Sequence, residues 1–207
     1  NKGLQKTHHI GKVIIHQENP KVVYVAAQGQ YYTDNKERGV YKTTNSGNSW
    51  KKVLSIKHGK IHVGVTDLVM DPRDSNVLYA TSYQRIRRPW GFSGAGPKSG
   101  IYKTVDGGKN WKKLSGGLPS GLLGKIGLAI FPRNPDILYA IIEDANSPEM
   151  SYEERWIEIQ NGKPSSKPTV GNIVYRTEDA GLIWRQASEG NVGGRPNYYG
   201  QIIVDPN

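Results

Sequence analysis

The stretch Thr104-Val105-Asp106-Gly107-Gly108-Lys109-Asn110-Trp111, which follows Gly100-Ile101-Tyr102-Lys103, decides how this 207-residue chain folds. Its pattern is a short strand, a tight turn and a Trp that opens a second strand. An Asp side chain accepts backbone N–H groups inside a turn, and Gly two residues later tolerates a left-handed conformation. The stretch therefore predicts a β-hairpin in which Asp106 and Gly108 build the turn and Trp111 supplies apolar surface for packing.

The same pattern occurs twice more in the chain. One copy runs from Gly39 to Trp50 and the other from Ile173 to Trp184, and each has nine residues from its strand Tyr to its Trp. Asn45 replaces the Asp in the first copy, which we expect to be tolerated because Asn accepts the same bonds. We interpret the repeated residues as turn and packing residues: Asn45, Gly47, Trp50, Asp106, Gly108, Trp111, Asp179, Gly181 and Trp184.

A second element precedes every copy and consists of a polar turn followed by an aliphatic-aliphatic-Tyr triplet. It spans His16–Tyr24, Asp71–Tyr79 and Phe131–Tyr139, and it begins again at Asp205. Matched repeats indicate a repeat architecture, and four short antiparallel strands per repeat are typical of a propeller blade. The chain is therefore predicted to be all-β, a β-propeller segment of three four-stranded antiparallel blades plus the first strand of a fourth.

The predicted blades span residues 10–54, 67–114 and 127–187, and the fourth begins at 199–207, so that 1–207 forms a single partial propeller domain. Length variation is confined to one connection, which grows from 17 to 23 to 36 residues between the Tyr residues of the second and third strands. In an up-and-down blade this connection lies opposite the short repeated turns. Because loops on a rigid scaffold carry binding and chemistry, we expect function on this long-loop face.

Propellers close into rings, and this limits whether three blades can form a propeller by themselves. A propeller leaves no open ends, since each blade packs against two neighbours. Three blades and one strand do not close such a ring. We therefore expect these residues to be a piece of a longer polypeptide, with the remaining blades of the parent propeller, or another chain, packed on the open faces.

The charge balance of the chain is basic, with 28 Lys and Arg against 18 Asp and Glu and a formal net charge of +10. Such a charge attracts polyanions. Because Lys residues recur at repeat positions, as in Lys51-Lys52 and Lys112-Lys113, we interpret them as solubilising residues of outer strands, and nucleic acid is not an expected partner.

Several functional classes lack support in the composition. The absence of Cys excludes disulfides and thiolate metal sites. The His residues show no metal-ligand spacing, so no metal and no cofactor are predicted. No apolar run approaches membrane-spanning length, so membrane insertion is not expected.

The long loops carry Arg and aromatic residues that suit ligand binding. Arg can grip carboxylates, sulfates or phosphates while an aromatic ring stacks on a sugar or a base. Alternatively, the Arg side chains tie the loops down by bonding backbone carbonyls and nearby acids. The residues predicted to contact a ligand are Arg38, Arg87, Arg88, Trp90, Arg195, Tyr198 and Tyr199.

Carboxylates occur on the same face. Asp67 begins the inner strand of the second blade beside the predicted channel, where it either acts as a catalytic acid or caps backbone amides of a neighbouring strand. No catalytic residue is assigned beyond this weak candidate. A capping-box signal at Ser151 predicts a short helix through Trp156. The acids of the third loop suit a carboxylate pair, a cation site or the solvated face of that helix: Glu143, Asp144, Glu149, Glu153 and Glu154.

The Ser/Thr-x-Asp-x-Gly-x-x-Trp pattern resembles the Asp-box, or BNR repeat, of β-propellers. Over the whole chain, the paired repeats are similar to sortilin-type and BNR glycosyl-hydrolase-like propellers of exported bacterial proteins. The resemblance implies a secreted, periplasmic or cell-surface location. It also implies either non-catalytic binding of a protein, peptide or glycan through the long-loop face, or glycoside hydrolysis by loop-face carboxylates. The sialidase Arg-Ile-Pro motif is missing, and of the Asp pair used by two-propeller hydrolases only Asp67 is a candidate.

Overall fold

The structure, a computed structural model, describes residues 3–162, 167–190, 192–193 and 200–207. Its elements in chain order are β1 (Ile10–Ile15), β2 (Val23–Ala27), β3 (Gly39–Thr43), β4 (Lys51–Leu54), β5 (Ile56–His58), β6 (Ile61–Met70), β7 (Leu78–Tyr83), β8 (Ile86–Arg88), β9 (Gly91–Ser93), β10 (Gly100–Thr104), β11 (Lys112–Lys113), β12 (Leu123–Ile130), β13 (Leu138–Asp144), α1 (Tyr152–Asn161), β14 (Gly171–Thr177) and β15 (Trp184–Gln186).

The strands form three antiparallel blades. Their strand orders are β1-β2-β3-β4, β11-β10-β7-β6-β5 and β12-β13-β14-β15, and β8 and β9 form a separate hairpin. The inner strands β1, β6 and β12 pack side by side. The prediction of an all-β propeller segment with three four-stranded blades is confirmed. Two features were not predicted: β5 extends the second sheet, and the β8–β9 hairpin replaces an irregular loop.

Hydrogen bonds close each repeated turn in the same way. In the second turn, the Asp106 carboxylate accepts the Asn110 amide at 2.9 Å. The Thr104 hydroxyl accepts the Gly108 amide at 3.0 Å and donates to Asp106 at 2.8 Å. Gly108 has a φ of 88°, which favours glycine. Equivalent bonds hold the first turn through Thr43 and Asn45 and the third through Thr177 and Asp179.

A carbonyl in each of the later turns binds the preceding blade. The Gly107 carbonyl accepts hydrogen bonds from the Tyr24 hydroxyl at 3.0 Å and the Lys42 ammonium at 2.9 Å, both in the first blade. The Ala180 carbonyl of the third blade accepts the corresponding pair from the second, Tyr79 at 2.9 Å and Lys103 at 2.7 Å. A Tyr–Lys clamp is therefore part of the repeat and holds neighbouring blades in register.

Burial of the inner strands depends on whether a blade precedes them. Leu68 and Met70 of β6 are 0% and 8% exposed against the first blade. Val13 and Ile15, at the same repeat positions in β1, are 52% and 58% exposed. The leading face of the first blade therefore presents apolar residues whose counterparts form core.

The Trp residues of the repeat differ in burial. Trp184 is buried at 2% exposure and its indole N–H donates to the Gly181 carbonyl at 3.2 Å. Trp50 and Trp111 are only half-buried, so of the three Trp residues that the repeat predicts to pack, Trp184 alone is fully buried. Trp111 packs against the edge of the apolar cluster between the first two blades.

The predicted first strand of a fourth blade is only partly represented. Tyr199 lies outside the described residues, and Gln201–Val204 has no strand assignment. The Gly200 carbonyl nevertheless approaches Gly127 so closely that a Cβ there would lie 2.4 Å from the oxygen. Thr66 of β6 approaches Gly11 of β1 in the same way, at 2.3 Å. Gly200 therefore takes the place of an inner strand beside β12.

Candidate functional site

The long-loop face is the end of the blades that carries residues 28–38, 84–99, 145–162 and 167–170. The β8–β9 hairpin belongs to the second of these loops. Its Phe92 amide donates to the Gly162 carbonyl at 3.0 Å, and its Arg87 amide donates to the Tyr31 carbonyl at 2.7 Å. Backbone bonds to two other loops therefore fix the hairpin and the side chains it carries.

Helix α1 packs against β9 of the hairpin. The Ser151 hydroxyl accepts the Glu154 amide at 3.3 Å, and the Glu154 carboxylate accepts the Ser151 amide at 2.9 Å, so the predicted capping box is present. The helix passes Trp156, as predicted, and ends at Gly162 with a left-handed φ of 68°. Glu154 thus caps a helix, and its neighbour Glu153 lies in the first turn, where acidic residues favour the helix dipole.

An aromatic groove, here called the outer groove, lies at the tip of the hairpin. Trp90 is 73% exposed and Tyr32 from the first loop is 64% exposed. Arg87 is exposed, whereas Arg88 is half-buried and donates from Nη1 to the Ser93 hydroxyl. The structure therefore brings Arg87, Arg88 and Trp90 together. The outer groove is lined by Tyr32, Arg87, Arg88, Pro89, Trp90, Gly91, Phe92 and Gly162.

Arg38 does not belong to this surface, which corrects its prediction as a ligand contact. It is 1% exposed. Its guanidinium donates to backbone carbonyls in two long loops and at the start of β6, those of Gln30, Thr33, Arg85 and His62. Arg38 ties the long loops together, which is the alternative role considered for the loop Arg residues.

Three other predicted contacts, Arg195, Tyr198 and Tyr199, lie outside the described residues. Arg85, in contrast, was only one of three Arg in the second loop and was not singled out from the sequence. Its guanidinium carbon lies 4.0 Å from the Tyr31 ring centroid and 5.1 Å from that of Phe92. The Tyr31 contact joins two loops that are distant in sequence, so no local signal could have selected Arg85.

Asp67 holds neighbouring backbone in place. Its carboxylate accepts the amide of Leu68 at 2.9 Å and that of Leu128, in β12 of the third blade, at 3.0 Å. The Lys12 ammonium lies 3.8 Å away. Burial raises the pKa of Asp67, although these amides and Lys12 favour its charged form. The amide-capping alternative describes this geometry, and it links the second and third blades.

Glu143 is the carboxylate with the most perturbed environment on this face. Burial raises its pKa to about 7, although the Lys125 amide donates to it at 2.9 Å. Burial also raises the pKa of the adjacent Asp144, which accepts the Asn146 amide at 3.0 Å. A carboxyl group with a pKa near neutrality suits a general acid, but Glu143 also accepts a backbone amide of β12, and Asp144 accepts one of the third loop.

Within the described part of the chain, no three His, Asp or Glu side chains are grouped so that they could hold a metal ion. Over the same residues, no helix has the length and apolar character needed to cross a membrane.

Comparison with known proteins rests on structure, because the sequence matches no protein-family model and no curated protein. The chain is similar to the GH74 xyloglucanase from Xanthomonas campestris, with a TM-score of 0.60 and 15% identity over 95% of this chain and 25% of that one. It is also similar to a GH74 enzyme from Niastella koreensis, with a TM-score of 0.54 and 15% identity over 86% of this chain and 22% of that one.

These structural neighbours are β-propeller proteins. The chain therefore has the fold of a propeller segment and spans about a quarter of the length of the structures it matches. At this level of identity the likeness concerns the fold alone, because one fold hosts many functions.

Proposed function

We propose that this chain is a non-catalytic, ligand-binding β-propeller segment of a larger exported bacterial protein and that it holds a glycan in the outer groove. The observation that carries the proposal is the exposure of Trp90 and Tyr32, at 73% and 64%, beside the exposed Arg87. Large exposed aromatic surfaces mark interaction sites, and a hairpin fixed by backbone bonds presents them without an ordering cost on binding. Aromatic faces stack on sugar rings while Arg donates to hydroxyl or acidic groups.

The choice of a glycan over a peptide or protein has two supports. The groove is lined by three aromatic residues, Tyr32, Trp90 and Phe92, and by two Arg residues, and ring faces beside Arg donors suit sugar rings that carry hydroxyl groups. In addition, the Xanthomonas campestris neighbour is a xyloglucanase by name, so xylogluco-oligosaccharides are the first neutral ligands to test. A secreted, periplasmic or cell-surface location forms part of this proposal.

The test combines Trp90→Ala with Arg87→Ala, because Arg88 also supports the hairpin through Ser93. Titration calorimetry with xylogluco-oligosaccharides should show affinity weakened by about tenfold or more, the effect of losing roughly 1.4 kcal/mol. The melting temperature should change little, since both side chains are exposed. Tyr152→Ala, which removes an exposed aromatic from α1, is the matched control. Unaltered affinity in the double variant would contradict the proposal. Selective binding of peptides instead of oligosaccharides would show that the groove binds peptides and not a glycan.

A glycoside hydrolase is the alternative, and the raised pKa of Glu143, about 7, favours it. Asp67 would be its partner. Hydrolases place their two carboxyl groups roughly 5–10 Å apart across a cleft. Here Asp67 accepts the Leu128 amide and Glu143 accepts the Lys125 amide. These two amides are three residues apart on β12, a separation of about 10 Å at the rise per residue of a strand. Release of reducing ends from xyloglucan, lost in both Asp67→Asn and Glu143→Gln, would support hydrolysis over binding.

We also infer that further blades, from the parent propeller or another chain, pack on the two open faces. On the leading face, Val13 and Ile15 are exposed where Leu68 and Met70 are buried. The trailing face is the open face of the third blade. There, Tyr139 and Arg176 occupy the positions of the Tyr–Lys clamp, and the Arg176 guanidinium lies 5.7 Å from the Tyr139 ring centroid. Both faces thus carry the residues that join blades elsewhere in the chain.

A further inference from the structure

Among the described residues, Arg85 is a cation without a counter-ion of its own. The guanidinium lies over the rings of Tyr31 and Phe92, and its Nε is buried without a hydrogen-bond partner. In the described part of the chain, no Asp or Glu forms an ion pair with Arg85. A buried guanidinium donor that lacks an acceptor costs stability. The aromatic contacts attract the cation but supply no hydrogen-bond acceptor to Nε.

The Arg85 side chain lines a cavity of about 350 Å³ beside the inner strands, here called the axial cavity. Its charged walls hold three cations, Lys12, Arg85 and Lys125, and one carboxylate, Asp67. Asp67 is already engaged by two backbone amides and lies 3.8 Å from Lys12. The cavity therefore has a surplus of positive charge. Its remaining lining residues include Gln28, Tyr31, Tyr83 and Gln201.

Electrostatics within the cavity point the same way. Burial lowers the pKa of Lys125, and the nearby Arg85 lowers it further, although Asp67 and Glu143 oppose this. Two cations that repel each other in a recess are both stabilised when an anion enters between them. A guanidinium fork suits the paired oxygens of a carboxylate or sulfate, which it binds by two parallel hydrogen bonds.

We propose that the axial cavity binds the carboxylate or sulfate of an acidic glycan, with Arg85 as the main donor and Lys125 beside it. Tyr31 holds the Arg85 plane in place, and Tyr83, Gln28 and Gln201 line the space for the adjoining sugar. This inference rests on the proposed function and deepens it, because it states that the ligand carries acidic groups. Neutral residues of the glycan would occupy the outer groove, and the acidic one the axial cavity.

The experiment compares matched oligosaccharides by titration calorimetry: a galacturonic acid oligomer, a sulfated oligosaccharide and a neutral xylogluco-oligosaccharide. The protein is the whole chain, as wild type, Arg85→Gln or Arg133→Gln. Arg133 is exposed in the β12–β13 turn at the opposite end of the blades, so Arg133→Gln matches the charge change. Arg85→Gln should weaken the acidic ligands by about tenfold to a hundredfold, the effect of losing a charge-assisted bond, and leave the neutral ligand unaffected. The two acidic arms distinguish carboxylate from sulfate.

A second measurement separates this inference from the proposed function. Sodium sulfate should raise the melting temperature of the wild type and of Arg133→Gln above the value in sodium chloride of equal ionic strength, and raise that of Arg85→Gln or Arg85→Lys less. If sulfate acts through Arg85 but no oligosaccharide binds, the glycan proposal fails and the anion site stands. If acidic and neutral ligands weaken equally in Arg85→Gln, or if sulfate protects all variants alike, the anion site is overturned. Should Arg85→Gln fold poorly, Arg85→Lys, which keeps the charge but not the fork, gives the same comparison.

Discussion

Arg38 shows how a charged side chain can serve a loop scaffold. It is 1% exposed and donates to four backbone carbonyls, among them His62 at 2.9 Å. Arg38→Met keeps much of the apolar volume but leaves these carbonyls without a donor. We expect the free energy of unfolding to fall by about 2–4 kcal/mol, because hydrogen bonds to a charged group contribute about 1.5–3 kcal/mol each and are not additive. Urea denaturation measures this change.

The matched control for Arg38→Met is Arg87→Met, which removes the same charge from an exposed position on the same face. Its effect on unfolding should be less than about 1 kcal/mol. If the two variants were equally stable, the assignment of Arg38 to the scaffold would be wrong.

Single residues of the repeat were predictable because their bonds are local. Asp106 accepts an amide four residues away, and Asn45 does the same in the first turn. The role of Asp67 was open between two alternatives, because its decisive partner, the Leu128 amide, is 61 residues away. The same holds for Arg38, whose acceptors lie in three different segments. Residue type and spacing identified these side chains, but only tertiary contacts distinguish a binding role from a structural one.

At the level of elements, the periodic strands and the capped helix were predictable, whereas the β8–β9 hairpin was not. Its sequence, Ile86-Arg87-Arg88-Pro89-Trp90-Gly91-Phe92-Ser93, shows no alternation of apolar and polar residues. It is held instead by the carbonyl of Gly162, the residue that caps the C-terminal end of α1, and by the Tyr31 carbonyl of the first loop. The exposure of Trp90 follows from this anchoring, since the hairpin projects its tip away from the core.

The Glu143 carboxyl on β13, which accepts the Lys125 amide of β12, gives a prediction about stability and pH. Burial raises the pKa of Glu143 to about 7, above the value of about 4.3 in an unfolded chain. Between these values the unfolded state binds fewer protons than the folded state, so stability decreases as pH rises from about 4 to about 7 and then levels off. Glu143→Gln retains an acceptor for the Lys125 amide but does not titrate. Relative to this variant, the wild type should therefore lose stability between pH 5 and pH 8, as measured by urea denaturation.

Glu153→Gln is the control for Glu143→Gln, because Glu153 is an exposed acid on the same face. Its stability should follow that of the wild type across the same pH range. A pH-independent difference between Glu143→Gln and the wild type would contradict the raised pKa.

At the scale of the whole molecule, each blade interface combines apolar burial with a clamp. Between the first two blades, Leu68 is buried at 0% exposure and Gly107 is bound by Tyr24 and Lys42. The trailing face offers the same chemistry through Tyr139 and Arg176, and its aromatic ring is half-buried. The fourth inner strand would supply one side of the next interface, since Gly200 already lies against Gly127.

Because the repeats keep the same register, the trailing face can be tested by adding the strands of a further blade to the end of the chain. Asp205-Pro206-Asn207 corresponds to Asp71-Pro72-Arg73, so a copy of residues 74–114 joined after Asn207 would supply the second, third and fourth strands of a blade together with a repeated turn. Tyr139 and Arg176 should donate hydrogen bonds to the carbonyl of the added repeated turn, and apolar surface of the third blade should be buried. We expect the melting temperature to rise by about 5 °C or more, which corresponds to roughly 1–2 kcal/mol for a chain of this size.

Tyr139→Phe with Arg176→Met should reduce that rise in the extended chain. The same double variant should change the natural chain little, because its Arg176–Glu178 ion pair is solvent-exposed. An extended chain that melts at the same temperature as the natural one, or a rise that the double variant leaves intact, would show that the clamp does not receive a further blade.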